Sequence, residues 1–291
     1  MSGFRLVVLS DTHVSRTHPL FFHNWDVARE AANALNPDIA IVTGDLSFNG
    51  AAVADDLHFA ADEMARLTAP VRLLLPGNHD VGYTPAVAAE QTLTAARREA
   101  YIAALGPDFW SVDHGAWRFL GLNPFLLQSG LPAEQEQEAM IDAALAAHDG
   151  PVGVFTHVPL FAHSPGETDV EPSATILPAP RQALLERFAA GGVRFVASGH
   201  LHRFKRMRFA GIEHIWAPGT AFTSTGPKSA AWGGEPWVGF VSFSFEGESY
   251  TAEVVEPDDM INMDLRNWTR GARHGYYKVA EAPFRGPGNT N

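Results

Sequence analysis

The tightest constraint on this chain is a set of apolar runs too short for helices and too continuous for half-exposed strands. Leu6–Ser10, Ile39–Thr43 and Val71–Leu75 are rich in Leu, Ile and Val and are bounded by Asp, Gly or Pro. Such runs pack as strands buried on both faces. Between them lie segments of helical character, Trp25–Leu35, rich in Ala, and Ala51–Leu67, with Val53, Leu57, Ala60, Ala61 and Met64 on one stripe; Leu93–Leu105 is a third. Strands alternating with helices imply a mostly parallel sheet with helices packed on it.

Beyond residue 105 the pattern changes. Phe109–Asn123 holds two runs around Asp113-His114-Gly115 and reads as a hairpin. Ala133–His148 is a helix with acidic residues in its first turn, and helix Arg181–Ala190 lies between strands Val152–Thr156 and Val193–Ala197. Arg206–Phe209, Ile212–Trp216, Val238–Phe245 and Tyr250–Val255 read as antiparallel strands with tight connections. The expected fold is α/β: a four-layer α/β/β/α sandwich with mixed sheets, a parallel half first and an antiparallel half later. Residues 1–257 form the expected catalytic domain and 258–291 a C-terminal extension. Trp268, Tyr276 and Tyr277 in that extension suggest docking on its own subunit or on a second copy, making a homo-oligomer.

Five of these strands run directly into polar groups that are costly to bury unpaired. The first leads into Asp11-Thr12-His13, the second into Gly44-Asp45, and the third into Gly77-Asn78-His79-Asp80. The strand at 152–156 delivers His157, and that at 193–197 leads into Gly199-His200-Leu201-His202. Each motif alone has an ordinary reading as a turn or a hydrogen-bonded core residue. Together, at the carboxyl ends of strands that converge on one crevice, they point to a shared site. Asp11, His13, Asp45, Asn78, His157, His200 and His202 are too many donors for one ion with an open position and suit two. Carboxylate, imidazole and amide donors without sulfur favour Mn, Fe, Zn or Co. Gly44, Gly77 and Gly199 are expected to let the backbone turn so that the next side chain faces the crevice.

Composition removes several alternatives. The 291 residues include no cysteine, which excludes thiolate catalysis, iron–sulfur clusters and disulfides, while 13 histidines supply nitrogen donors. The formal net charge of −12 argues against a nucleic-acid polymer or an anionic membrane surface as partner. The run Arg203-Phe204-Lys205-Arg206-Met207-Arg208 therefore reads as a solvated strand face. No apolar stretch reaches the about 18 residues of a membrane span. Met1–Ser10 lacks the pattern of an export signal, so a soluble cytoplasmic protein is expected.

In this order, Asp-x-His, Gly-Asp, Gly-Asn-His-Asp, His and Gly-His-x-His resemble the calcineurin-like metallophosphoesterase superfamily, over Asp11 to His202. The Gly-Asn-His-Asp and Gly-His-Leu-His forms are most similar to the bacterial class III cyclic nucleotide and glycerophosphodiester phosphodiesterases. The resemblance implies that Asp11, His13 and His202 hold one metal, and Asn78, His157 and His200 a second. Asp45 and a hydroxide would bridge the two. His79 would face the substrate. Members of that group often carry a second His before the ligand and Pro-Pro after it, whereas this chain has Thr156-His157-Val158-Pro159.

The expected function is hydrolysis of small phosphodiesters, cyclic-nucleotide-like or glycerophosphodiester-like, by a metal-dependent enzyme. His79 is the candidate general acid, with Asp80 orienting it. Val14–Asp26 and Phe161–Pro180 are the candidate substrate loops, in which His23 and His163 could contact phosphate. The alternatives are a phosphomonoesterase, nucleotidase or pyrophosphate hydrolase on the same metals. A non-enzymatic scaffold is disfavoured because all seven donor positions are filled.

Overall fold

The structure is a computed structural model that describes residues 3–266. Its eleven strands are β1 (Phe4–Leu9), β2 (Ile39–Val42), β3 (Val71–Leu74), β4 (Trp110–His114), β5 (Trp117–Leu122), β6 (Val152–Thr156), β7 (Val193–Ser198), β8 (Lys205–Phe209), β9 (Ile212–Trp216), β10 (Phe240–Glu246) and β11 (Ser249–Val255). The helices are α1 (Phe22–Ala34), α2 (Ala54–Met64), α3 (Asn78–Val81), α4 (Ala95–Leu105), α5 (Pro132–Ala146), α6 (Pro178–Ala190) and α7 (Pro227–Ala231). Trp268, Tyr276 and Tyr277 lie outside the described residues.

Helix ends follow local chemistry. Thr94 caps α4 by accepting from the Arg97 amide at 3.2 Å, so that helix starts later than its apolar pattern. Pro132 and Pro178 open α5 and α6, where a missing N–H costs nothing. The first turn of α2 carries Asp55 and Asp56. The Asp56 carboxylate accepts from Ser15 Oγ (2.7 Å) and the Asn49 amide (3.1 Å), tying the helix start to the turns that follow β1 and β2.

The strands form two sheets, in the orders β11-β10-β1-β2-β3 and β4-β5-β6-β7-β9-β8. Strict alternation along β1 shows the layering. Leu6 and Val8 join an inter-sheet core with Ile39, Ile41, Phe119, Phe155, Phe195, Val241 and Phe243. Val7 and Leu9 face the other way, into a cluster with Trp25, Ala28, Leu57 and Ala60 from α1 and α2. On the far side, Ile141, Leu184 and Phe188 of α5 and α6 cover Leu120, Val154 and Val196 of the second sheet. This is the four-layer α/β/β/α sandwich. The aromatic inner layer, with Trp117 and Phe195 fully buried, supplies on the order of 1.5–3 kcal/mol per large side chain.

The halves are arranged differently from the expected order. Both sheets are mixed. β10 and β11 return to the first sheet, where Val241–Phe245 pair antiparallel with Phe4–Val8 of β1. β9 runs parallel to β7 and only β8 is antiparallel to it, so β5, β6, β7 and β9 make a parallel run in the later half. The basic run also divides. Arg206 and Arg208 are exposed, but Arg203 is buried and Lys205 half-buried, because their head groups bind backbone carbonyls.

Candidate metal centre

The carboxyl ends of β1, β2 and β3 from one sheet meet those of β6 and β7 from the other. Past the strand ends the ladder continues: the Asp11 amide donates to Gly44 O, and the His13 amide to Asp45 O, each at 2.9 Å. These bonds place the Asp11, His13 and Asp45 side chains at a fixed register. Five of the eight non-glycine residues with positive φ among the described residues are donors here: Asp11, His13, Asp45, His200 and His202. Each such conformation costs on the order of 1–3 kcal/mol and survives only where surrounding contacts impose it.

The glycines act partly as expected. Gly44 has φ +106°, a region side chains avoid. Gly77 and Gly199 lack that conformation and are required for close approach instead. A Cβ on Gly77 would lie 2.0 Å from Asp45 Oδ1 and 2.1 Å from the Asp45 amide nitrogen; one on Gly199 would lie 1.8 Å from Ser10 Oγ.

The donors form two clusters with the Asp45 carboxylate between them. Asp11, His13 and His202 are one, and Asp45, His157 and His200 the other. A third combination, His13, Asp45 and His79, overlaps both. Asp45 Oδ2 lies 3.6 Å from His13 Nε2 and 3.5 Å from His157 Nε2, between the clusters. His202 Nε2 is 3.4 Å from Asp11 Oδ1, and His200 Nδ1 is 3.1 Å from His157 Nε2. Donors bound about 2.0–2.1 Å from one ion stand roughly 3–3.4 Å apart, so these spacings fit coordination shells. Asn78 Oδ1 is buried with no hydrogen-bond partner among the described residues, as a donor awaiting a cation would be.

Backbone carbonyls decide which nitrogen each ring presents. Because a carbonyl only accepts, the facing ring nitrogen carries the proton. His157 Nδ1 donates to Thr43 O (2.8 Å), His202 Nδ1 to Phe222 O (2.9 Å) and His200 Nε2 to Ser173 O (2.7 Å). That leaves Nε2, Nε2 and Nδ1 respectively to point inward, the outer-shell arrangement of metal-binding histidines. The carboxylates are held too: Asp11 accepts from the His200 amide and Asp45 Oδ1 from the His79 amide.

The electrostatics of the cluster follow from burial and Asp45. Burial opposes charge on His157, but the Asp45 carboxylate beside it raises the ring to about 9. Burial and the His157 charge lower His200 to about 4, and burial with the neighbouring His79 lowers His13. Burial would raise Asp45, yet His157, His79 and His13 together hold it well below the usual carboxylate range. A cation entering here competes with the proton on His157, so its uptake weakens as pH falls.

His79 sits at the rim. Its Nδ1 donates to Phe48 O at 2.7 Å, which aims Nε2 into the site, 3.9 Å from Asp45 Oδ2. Asp80 is fully buried and accepts from the Gly77, Leu46 and Ser47 amides and from Ser47 Oγ, joining the turns after β2 and β3. Burial and the Asp45 charge push it up to about 6. The carbonyl of Phe48 orients the His79 ring. His23 lies exposed on α1 with Nε2 on Asp259 O at 3.0 Å.

A cavity of about 220 Å³ opens over both clusters, lined by Tyr83, Glu171, Ser173, Phe222, Ser224 and Trp232 besides the donors. His163 lines a neighbouring cavity. Glu171, Trp232 and the orienting carbonyls carry no motif; the aromatic before Gly233-Gly234 is the nearest thing to a signal in the sequence.

The family model for calcineurin-like phosphoesterases matches residues 4–204. The serine/threonine-protein phosphatase CPPED1 of Homo sapiens is 33% identical over 138 residues, covering 45% of this chain and 41% of that protein. The chain thus matches less than half the length of that relative. Among solved structures, the purple acid phosphatase PPD1 of yellow lupin (Lupinus luteus) superposes with a TM-score of 0.67 at 16% identity, over 90% of this chain and 53% of that one. A dimetal phosphatase from Danio rerio gives a TM-score of 0.56 at 15% identity, over 87% and 97%. These two likenesses concern the fold. No helix among the described residues is long and apolar enough to cross a membrane.

Proposed function

The chain belongs to the calcineurin-like phosphoesterase family, and from that premise we propose that it hydrolyses small phosphodiesters at a dinuclear metal site. The observation that carries this reading is Asp45 Oδ2, set almost equally between His13 and His157. In it, Asp11, His13 and His202 hold one ion, Asn78, His157 and His200 the other, and Asp45 both. Two bound ions supply an activated water and neutralise phosphoryl charge, which makes a protein nucleophile unnecessary.

His79 handles the departing group. With Nδ1–H committed to Phe48 O, Nε2 is the nitrogen that faces the site, and as general acid it would carry the proton to be given up. As the P–O bond breaks, the leaving alkoxide takes that proton and the ring is left neutral. Asp80 fixes the turns from which His79 and Asp45 project.

Diester preference is supported by the cavity wall, whose described lining residues include Glu171 but no Lys or Arg. A diester monoanion has two terminal oxygens, which two ions can hold. A monoester dianion adds a third oxygen and a second charge, for which the described lining residues offer no Lys or Arg. A phosphomonoesterase is the second reading, favoured by the match to a relative named as a serine/threonine-protein phosphatase.

The test is turnover of bis(4-nitrophenyl) phosphate and 4-nitrophenyl phosphate by metal-stripped protein reloaded with Mn²⁺, Zn²⁺, Fe²⁺ or Co²⁺. Metal-dependent turnover at least tenfold higher in kcat/KM for the diester is expected, about 1.4 kcal/mol in transition-state stabilisation. A preference for the monoester moves the assignment to a phosphatase.

A further inference from the structure

Glu171 and Trp232 line not only the cavity over the donor clusters but also a second, larger one of about 720 Å³, together with His163, Thr168, Asp169 and Lys228. The two cavities share a wall. We propose that the outer cavity is a subsite for the second ester group of the substrate and that it takes an alkylammonium group. The proposal rests on the phosphodiesterase reading above.

Geometry sets the direction. With phosphorus at the donor clusters, an ester group that leaves the inner cavity past Glu171 and Trp232 enters the outer one. Charge sets the chemistry. Asp169 and Glu171 against Lys228 give −2 + 1 = −1 for the side chains named. Lys228 Nζ lies 3.1 Å from Glu171 Oε2, so the cation of the cavity is already paired. Asp169 has no ion-pair partner among the described residues. An anionic group meets unpaired negative charge there. An ammonium group gains Asp169 and the ring of Trp232, the aromatic residue that attracts cations most strongly.

The walls are preorganised. The buried Glu167 carboxylate accepts from the Ala162, His163 and Ser164 amides and lies 3.3 Å from the Arg181 guanidinium. Lys205 Nζ donates to Ala162 O (2.6 Å) and to Trp232 O (2.8 Å), bonding the two segments that form the cavity to each other. Arg203 donates to Gly233 O and Gly234 O just beyond Trp232. A site held in place before binding loses little affinity to ordering.

The test uses the full metal-loaded chain and esters with one common leaving group: methyl 4-nitrophenyl phosphate, 4-nitrophenyl phosphorylcholine and the 4-nitrophenyl ester of thymidine 5′-monophosphate. The choline ester is expected to exceed the methyl ester at least tenfold in kcat/KM, with the ratio falling toward one in Asp169→Asn and in Trp232→Ala. A ratio near one in the native protein, a ratio unmoved in both variants, or a preference for the thymidine ester over the choline ester overturns the subsite. If none of the three esters turns over with any metal, the phosphodiesterase reading fails, and calorimetric titration with choline decides the subsite separately. Saturable heat that disappears in Trp232→Ala supports it, and no heat in the native protein overturns it.

Discussion

Nε2 of His13 and Nε2 of His202 stand 3.3 Å apart, although the residues are separated by 189 positions in the chain. Phe222 O holds the proton of His202 on Nδ1, so the neutral ring turns a lone pair toward its partner. Two imidazole nitrogens about 2.0–2.1 Å from one tetrahedral ion would be roughly 3.3 Å apart. The pair is therefore read as one edge of a coordination shell.

If so, His202→Ala removes one ion and leaves the other. After loading with Mn²⁺ or Zn²⁺ and dialysis, elemental analysis should find about two equivalents per chain in the native protein and about one in the variant. The rise in Tm on adding metal should shrink in parallel. Two retained equivalents would remove His202 from the donor set.

His79→Ala tests the proton role. The variant should keep both equivalents of metal and lose on the order of 10²–10⁴ in kcat with alkyl leaving groups, and far less with 4-nitrophenolate, which needs no proton. Equal losses on both substrate types would assign His79 to binding instead.

Gly77→Ala probes packing around Asp45. The added Cβ would come within 2.1 Å of the Asp45 amide nitrogen, and backbone cannot step aside as a side chain can. A loss of about 1–3 kcal/mol in urea unfolding, with weakened metal retention, is expected. Gly166→Ala, where a Cβ meets nothing within 4 Å, serves as the control and should stay within about 0.5 kcal/mol.

His214 makes stability depend on pH away from the metal centre. Burial lowers its ring to about 4, and its Nε2 has no partner among the described residues. Its folded value is depressed below the unfolded 6.5, so below about pH 6.5 the unfolded chain binds the extra proton. Stability present above pH 6.5 is then lost as pH falls toward 4. Between pH 7.5 and 4.5 the metal-free protein should lose about 2–3 kcal/mol more than His214→Leu in urea titrations. Parallel curves for the two proteins would show that the buried ring does not titrate in this way.

Much of the site was legible because of a conflict within the sequence. Apolar runs at Leu6–Leu9 and Val152–Thr156 must be buried, yet they end in Asp11 and His157, which cannot be buried alone. The direction of β9 was not legible. Its residues, Ile212–Trp216, carry the same β-branched and aromatic character whether β7 beside them runs parallel or antiparallel. Nor was the reason for Gly77 and Gly199, since close approach is a property of two segments and the motif shows only one.

The chain alone thus determined the α/β class, the strand ends and the kinds of donor atom they deliver, because burial and unpaired polarity are properties of each residue and its near neighbours. Tertiary structure decided the rest. The return of β10 to β1 joins Val241–Phe245 to Phe4–Val8 through backbone hydrogen bonds, which every residue offers alike. The nitrogen that His157, His200 or His202 turns inward is chosen by the carbonyl of Thr43, Ser173 or Phe222, a group no side chain identifies. The meeting of Glu171 with Lys228 beside Trp232 is decided the same way, by where two separate segments come to lie.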